Sequence, residues 1–198
     1  MPGRFIPVTL EGDVVRLEPI RREHAELLWE TAQEAREDIF RWFPWPMSTM
    51  DNFRNYVERV LAEQRNELSV GFATVVRKSG ELAGSTRFLN MDAPNRCVEI
   101  GSTWVVPAWQ RTAVNTEAKY LMLRHAFEGW GCLRVTLKTD ALNQQSRNAI
   151  LRIGAREEGT LRKHVIAWNG RVRDTVYFSI LDSEWPGVKA RLEQRLHP

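Results

Sequence analysis

Residues able to do chemistry concentrate between Cys97 and Asn148. An apolar strand over 97–106 runs into a turn at Pro107-Ala108-Trp109, and a polar segment over 110–116 leads to an amphipathic helix over 117–130. A second strand over 134–139 is followed by Asn143-Gln144-Gln145-Ser146-Arg147. A strand that hands its chain to a helix N-terminus makes a cradle for phosphate, because free N–H groups and the positive end of the helix dipole point at the same place.

The rest of the chain must position that stretch. Residues 14–19 alternate as a strand that ends at proline, and 21–34 read as a helix with Ala25, Leu28, Trp29 and Ala32 on one stripe. Two prolines keep 40–46 out of a regular helix. Ser48 or Thr49 caps a second helix that runs to about Asn66. The period then changes. Strands over 69–77 and 81–89 flank a turn at Lys78-Ser79-Gly80, and the strand at 97–106 completes an antiparallel meander. In the following helix, Val114, Ala118, Leu121, Met122 and Ala126 form one buried face. A helical crossover makes the strand at 134–139 parallel to its predecessor. A short helix over 146–153, strands over 155–161 and 173–180 with a turn at Asn169-Gly170, and a last helix over 182–196 finish the chain. The expected class is α+β: a mixed, mostly antiparallel central sheet with one parallel pair and helices on both faces.

Composition narrows the function. The 198 residues suit one domain spanning 1–198, and 43% apolar with 27% charged residues is a globular balance. No apolar run approaches the roughly 20 residues needed to span a bilayer, so no membrane partner is expected. Residues 1–7 lack the apolar stretch of a signal peptide. Cys97 and Cys132 lack metal-ligand spacing and read as reduced thiols of a cytoplasmic protein. Residues 101–198 carry 15 Lys and Arg against 9 Asp and Glu, whereas 1–100 carry 13 against 16. A basic second half suits a polyanionic ligand such as phosphate, although ordinary surface variation gives the same numbers. Without Lys/Arg-rich runs, a nucleic-acid partner rests only on the pI of about 9.1. No Ser-His-Asp order, metal cluster or Walker loop is present. His125 falls within the apolar helix pattern and reads as packed, and His24, His164 and His197 have no partner constellation.

The element order, with Val98-Glu99-Ile100-Gly101, the run from Pro107 to Ala118, Asn143 to Asn148 and Ile153-Gly154-Ala155, resembles the GNAT superfamily of acyl-CoA-dependent N-acyltransferases. More narrowly it resembles the branch of ribosomal-protein N-terminal acetyltransferases, over roughly 10–196. The family's phosphate loop is Gln/Arg-x-x-Gly-x-Gly/Ala. Gln110 matches its first position, while Ala113 replaces the first glycine and Asn115 occupies the second small position, so both loop glycines are missing. The resemblance implies that the strand ending at Trp104, Val105 and Val106 splays from the strand at 134–139. Pantetheine would bond there to backbone groups of Trp104 and Val106. The pyrophosphate of acetyl-CoA would sit on the amides of Arg111, Thr112, Ala113, Val114, Asn115 and Thr116, with Gln110 at the start of the loop. Asn143 would bond to the pantetheine arm, with Ser146 and Arg147 beside it.

Acetyl transfer to an amine needs a proton acceptor, donors for the oxyanion and a proton for the leaving thiolate. An N–H near Val105 would serve the oxyanion, and attack is direct, without an acyl-enzyme. Glu99, on an apolar strand, is the candidate base or substrate anchor, or else a structural acid. Ser146 is the candidate acid or thiolate partner, or else a helix cap. Tyr56, Tyr120 and Tyr177 all lie out of register for the acid that many family members use. Trp42, Phe43 and Trp45 either wall the acceptor pocket or form a lid on a core. The expected activity is acetyl transfer from acetyl-CoA to a primary amine: a protein N-terminus, amino acid, polyamine or drug-like amine. The alternative is a CoA- or acyl-CoA-binding protein without turnover. No metal is expected. A homodimer accords with the resembled branch, and the eight tryptophans suit either an interface or a core.

Overall fold

A computed structural model describes residues 5–197, so residues 1–4, on which part of the leader reading rests, lie outside the described residues. Eight strands form one sheet: β1 (Leu10–Glu11), β2 (Val15–Pro19), β3 (Ser69–Val76), β4 (Leu82–Asp92), β5 (Cys97–Val105), β6 (Arg134–Asp140), β7 (Arg156–Ile166) and β8 (Val172–Leu181). Their spatial order is β1-β2-β3-β4-β5-β6-β8-β7. All neighbours are antiparallel except β5 and β6. The crossover between those two is the helix α4 (Ala113–Arg124), extended by a wider π-helical turn, His125–Gly129.

Two apolar layers flank the sheet. On one face α1 (His24–Thr31), α2 (Arg36–Phe40) and α3 (Met50–Arg65) bury Leu28, Phe40, Phe53, Val57 and Val60 against Ala73, Trp104 and Val106. On the other, α4, α5 (Gln144–Arg152) and α6 (Trp185–Leu196) bury Val114, Leu121, Met122, Ile150, Trp185 and Leu192 against Phe72, Phe88, Ile100, Leu137 and Phe178. Alternation along the central strands feeds both layers. The expected stripe of α4 is entirely buried, Val114 through Ala126.

Several boundaries move, each for a local reason. α4 begins at Ala113 rather than 117, because Thr112 caps it: its hydroxyl accepts from Val114 N–H at 3.3 Å and donates to the Trp109 carbonyl at 2.7 Å. α5 begins at Gln144 because the Asn143 side chain accepts from Ser146 N–H at 3.0 Å. β7 continues to Ile166 rather than stopping at 161. An irregularity between Leu161 and Val165, with Lys163 at φ 49°, lets pairing resume with Arg173. β7 is a sheet margin, exposed along almost its whole length, while the other margin, β1, has two residues. The first helix is shorter than expected and continues as a 3-10 turn, Gln33–Ala35.

One buried carboxylate ties the first strands to α4. Glu117 accepts from the N–H groups of Asp13, Val14 and Val15 at 2.9, 2.7 and 2.6 Å. Replacing Glu117 by glutamine removes the charge behind three hydrogen bonds and puts donor hydrogens where an oxygen stood. We expect a loss of about 2 kcal/mol, seen as a melting temperature roughly 4–8 °C lower. An unchanged melting temperature would refute the role.

Candidate functional site

β5 and β6 pair at three positions, Cys97 with Arg134, Val98 with Val135 and Glu99 with Thr136. Beyond Glu99 they part. β6 stays paired with β8 as far as Asp140, and β5 stays paired with β4 as far as Val105, so a V opens between them. Within β5, Ser102 and Thr103 stand opposite the single residue Thr86, and Ser102 sits at φ 48°: a β-bulge. Past the bulge, Val106 N–H donates to the Ala83 carbonyl at 2.8 Å. Hydrogen-bonded and non-bonded pairs alternate in an antiparallel ladder. The pair Gly84–Val105 is therefore non-bonded, and the N–H and C=O of Val105 face away from β4 into the V. The expectation of free backbone groups at Trp104 and Val106 is thus redirected to Val105, since the Val106 N–H is already spent.

The Val105 carbonyl accepts from Gln110 Nε2 at 2.8 Å, and Gln110 Oε1 accepts from Gln145 Nε2 at 2.9 Å. Two side-chain amides thereby join the end of β5 to the start of α5. Next to them, Arg111 takes φ 61° and its exposed guanidinium engages nothing among the described residues. Ala113 and Asn115 lie inside α4 at ordinary helical φ. Neither position therefore needs glycine's freedom; the left-handed step falls on Arg111. The N–H groups of the first turn of α4 have no intrahelical acceptor, and the buried Asn115 Oδ1 has no partner among the described residues.

Glu99 lies at the vertex, the last β5 residue paired with β6. It is 5% exposed. Its Oε2 accepts from Asn90 Nδ2 at 2.9 Å and pairs with Lys138 Nζ at 3.0 Å. Ser146 stands in the first turn of α5, its hydroxyl unpartnered among the described residues.

Comparison with known proteins decides the family. Residues 15–156 match the family described as "Acetyltransferase (GNAT) domain". YdaF of Bacillus subtilis strain 168, provisionally named a ribosomal N-acetyltransferase, is 32% identical over 174 residues, covering 87% of this chain and 92% of YdaF. A GCN5-related N-acetyltransferase from Brucella melitensis superimposes with a TM-score of 0.91 at 32% identity, covering 100% of this chain and 89% of that one. Mycobacterium smegmatis RimJ, solved with a CoA-disulfide, superimposes with a TM-score of 0.83 at 22% identity, covering 96% of each chain. The chain belongs to the GNAT acetyltransferase family.

Around this GNAT V the other anticipated residues divide. Trp42 faces it from the segment between α2 and α3: its carbonyl accepts from Arg173 at 3.4 Å, and Arg171 lies 5.4 Å from its ring. Trp45 stacks on Tyr56 at 5.8 Å and 15°, with Arg59 4.6 Å from the same ring. Phe43 packs edge-on between Phe40 and Trp45. Arg147 is turned toward β7, paired with Glu157 at 3.2 Å. Trp104 packs edge-on against Phe40.

Three features escape a sequence reading. The bulge is one; Gly101 within a strand pattern was its only signal. Its clamps are the second: Arg87 donates to Ser102 Oγ at 3.1 Å and to Glu63 Oε2 at 2.7 Å, while from the other face the Lys119 ammonium reaches Thr86 and Thr103 at 2.9 and 2.5 Å. The third is a charge cluster at the end of β6. Among the described residues no group of three His, Cys, Asp or Glu could hold a metal ion, and no helix is long and apolar enough to cross a membrane.

Proposed function

We propose that this GNAT protein transfers an acetyl group from acetyl-CoA to a primary amine by direct attack. The observation that carries the reading is the parting of β5 and β6 beside the α4 N-terminus, with the Val105 N–H turned into the gap. Pantetheine lies along the V and bonds to the Asn143 side chain, leaving the Val105 N–H to the thioester oxygen. The amides of residues 111–116 and the Arg111 side chain take the pyrophosphate, assisted by the helix dipole. RimJ, of the same fold, was solved with a CoA-disulfide, which supports CoA as the ligand. The acceptor nitrogen attacks the thioester carbonyl, the C–S bond breaks, and the nitrogen gives up one proton. Glu99 receives that proton directly or through water, Val105 N–H holds the oxyanion, and Ser146 supplies a proton to the departing thiolate. YdaF's name supports a protein N-terminus as acceptor. Free thiols at Cys97 and Cys132 fit a reducing cytoplasm.

A second reading, acyl-CoA binding without turnover, has its own support. Ala113 and Asn115 add bulk where the loop meets phosphate, and Lys138 already occupies Glu99. One assay separates the two: purified protein, acetyl-CoA and an amine panel, with free thiol followed. Thiol release is expected, with Glu99→Gln and Ser146→Ala each lowering kcat about 10²-fold, and with Glu99→Gln leaving acetyl-CoA affinity unchanged. Acyl-CoA binding with no release for any amine establishes the binding reading instead.

A further inference from the structure

Two guanidinium groups share one carboxylate at the end of β6. Asp140, 1% exposed, accepts from Leu142 N–H at 3.0 Å and from Arg171 Nη2 at 2.5 Å, and Arg173 Nε lies 3.8 Å from the same group. The pair next to it on this face, Glu99 with Lys138, is neutral within itself. Asp174 follows Arg173 in sequence but projects from the opposite face of β8. One positive charge is left over. The surplus is shared by Arg173, which is buried, and Arg171, which is partly exposed; burial pulls Arg173 below its ordinary value, with Asp140 opposing and Arg171 adding to the shift. A partly desolvated cluster with more cations than anions gains from one further anion.

The cluster stands on one arm of the V. Asp140 ends β6 as Val105 ends β5, and the arms diverge between them. Trp42 closes the space beside the two arginines, and Trp168 N–H fixes that segment through the Pro44 carbonyl at 3.1 Å. We propose that the surplus charge reads a carboxylate on the acceptor, next to the amine that is acetylated. The acceptor is then an acidic amine, not a polyamine. This rests on the transferase reading for the position of the amine, but the anion subsite is defined by Arg171, Arg173 and Asp140 themselves. Two sources supply such a carboxylate: a free amino acid through its own α-carboxylate, or a peptide through an acidic second residue.

Calorimetry with CoA present tests the subsite without requiring turnover. The probes are serine against serinamide, and three otherwise identical peptides beginning Ser-Glu, Ser-Gln and Ser-Lys. In at least one comparison the acidic probe is expected to bind about tenfold tighter than its neutral counterpart; which comparison discriminates identifies the source. Arg171→Gln cancels the preference and Arg171→Glu turns it toward Ser-Lys. Arg171 partners the buried Asp140, so both variants should melt a few degrees lower than wild type, and binding is compared well below both transitions, where unchanged CoA affinity reports the folded state. Equal or weaker binding of both acidic probes overturns the proposal, as does a preference that survives both substitutions. Thiol release is scored separately: acidic probes that bind but release no thiol with any amine defeat the transferase reading and leave the anion subsite standing.

Discussion

Replacing Gly84 by alanine should cost this protein its activity before it costs its fold. Gly84 stands opposite Val105 in the β4–β5 ladder, at φ 152°, where an added Cβ would lie 2.0 Å from the Trp104 carbonyl oxygen. No side chain can give way there, because the obstacle is backbone. Alanine must push β5 aside at the residue that faces the V. The Val106 bond to Ala83 then lengthens, and the Val105 N–H swings away from the developing oxyanion. Displacing one such donor costs about 10²-fold in kcat, and the forced conformation costs about 3 kcal/mol, or roughly 6–12 °C in melting temperature. Gly80→Ala is the control. Gly80 also has a positive φ, 76°, but nothing lies within 4 Å of its would-be Cβ. That variant should lose about 1 kcal/mol and keep wild-type kcat/KM. Wild-type kcat/KM in Gly84→Ala would refute the role given to this part of the ladder.

The other large effect concerns Lys119. Its ammonium is buried against Thr86 and Thr103 with no carboxylate partner among the described residues, and burial pulls it down to about 7 from the ordinary 10.5. Between those two values the unfolded chain holds the proton and the folded chain does not. Stability therefore rises as pH climbs from 7 toward 10.5, and the full penalty is felt below pH 7, where both states are protonated. From pH 7 to 9 the gain is about 2 kcal/mol. Lys119→Met should abolish that slope and be more stable than wild type at pH 7. The two threonine hydroxyls, 2.8 Å apart, keep each other as partners in the variant. Urea midpoints at pH 7 and pH 9 measure this. A methionine variant that is weaker at pH 7 and keeps the wild-type slope would overturn the argument.

Much of this arrangement could be read from residue order. The change from helical to alternating period at Ser69, the crossover between two apolar strands and the turn at Pro107 together required one parallel pair inside an antiparallel sheet. The polar run from Gln110 and the small cluster at Asn143 lie on the two sides of the V. What stayed hidden depends on partners brought by other strands. Lys119 and Glu117 flank the apolar stripe of α4, a place where charged side chains are usually solvated. Both are buried because distant hydroxyls and N–H groups await them. The tie between Glu99 and Lys138 is set by two neighbouring strands, and Asp140 gains its two arginines only through the pairing of β6 with β8. Local spacing carries no trace of either. β7 runs past the expected 161 because its irregular step at Lys163 has, in sequence, the character of a strand end.

The two margins of the sheet have a consequence for life at high concentration. A long, flat, unpaired strand invites foreign chains to add to it and seeds fibrils. Here one border is two residues long. The other is interrupted twice and studded with Arg156, Glu157, Glu158, Arg162 and Lys163. Neither offers a continuous template, so edge-to-edge polymerisation is disfavoured at both borders, and crowding favours contact through side chains over extension of the backbone ladder.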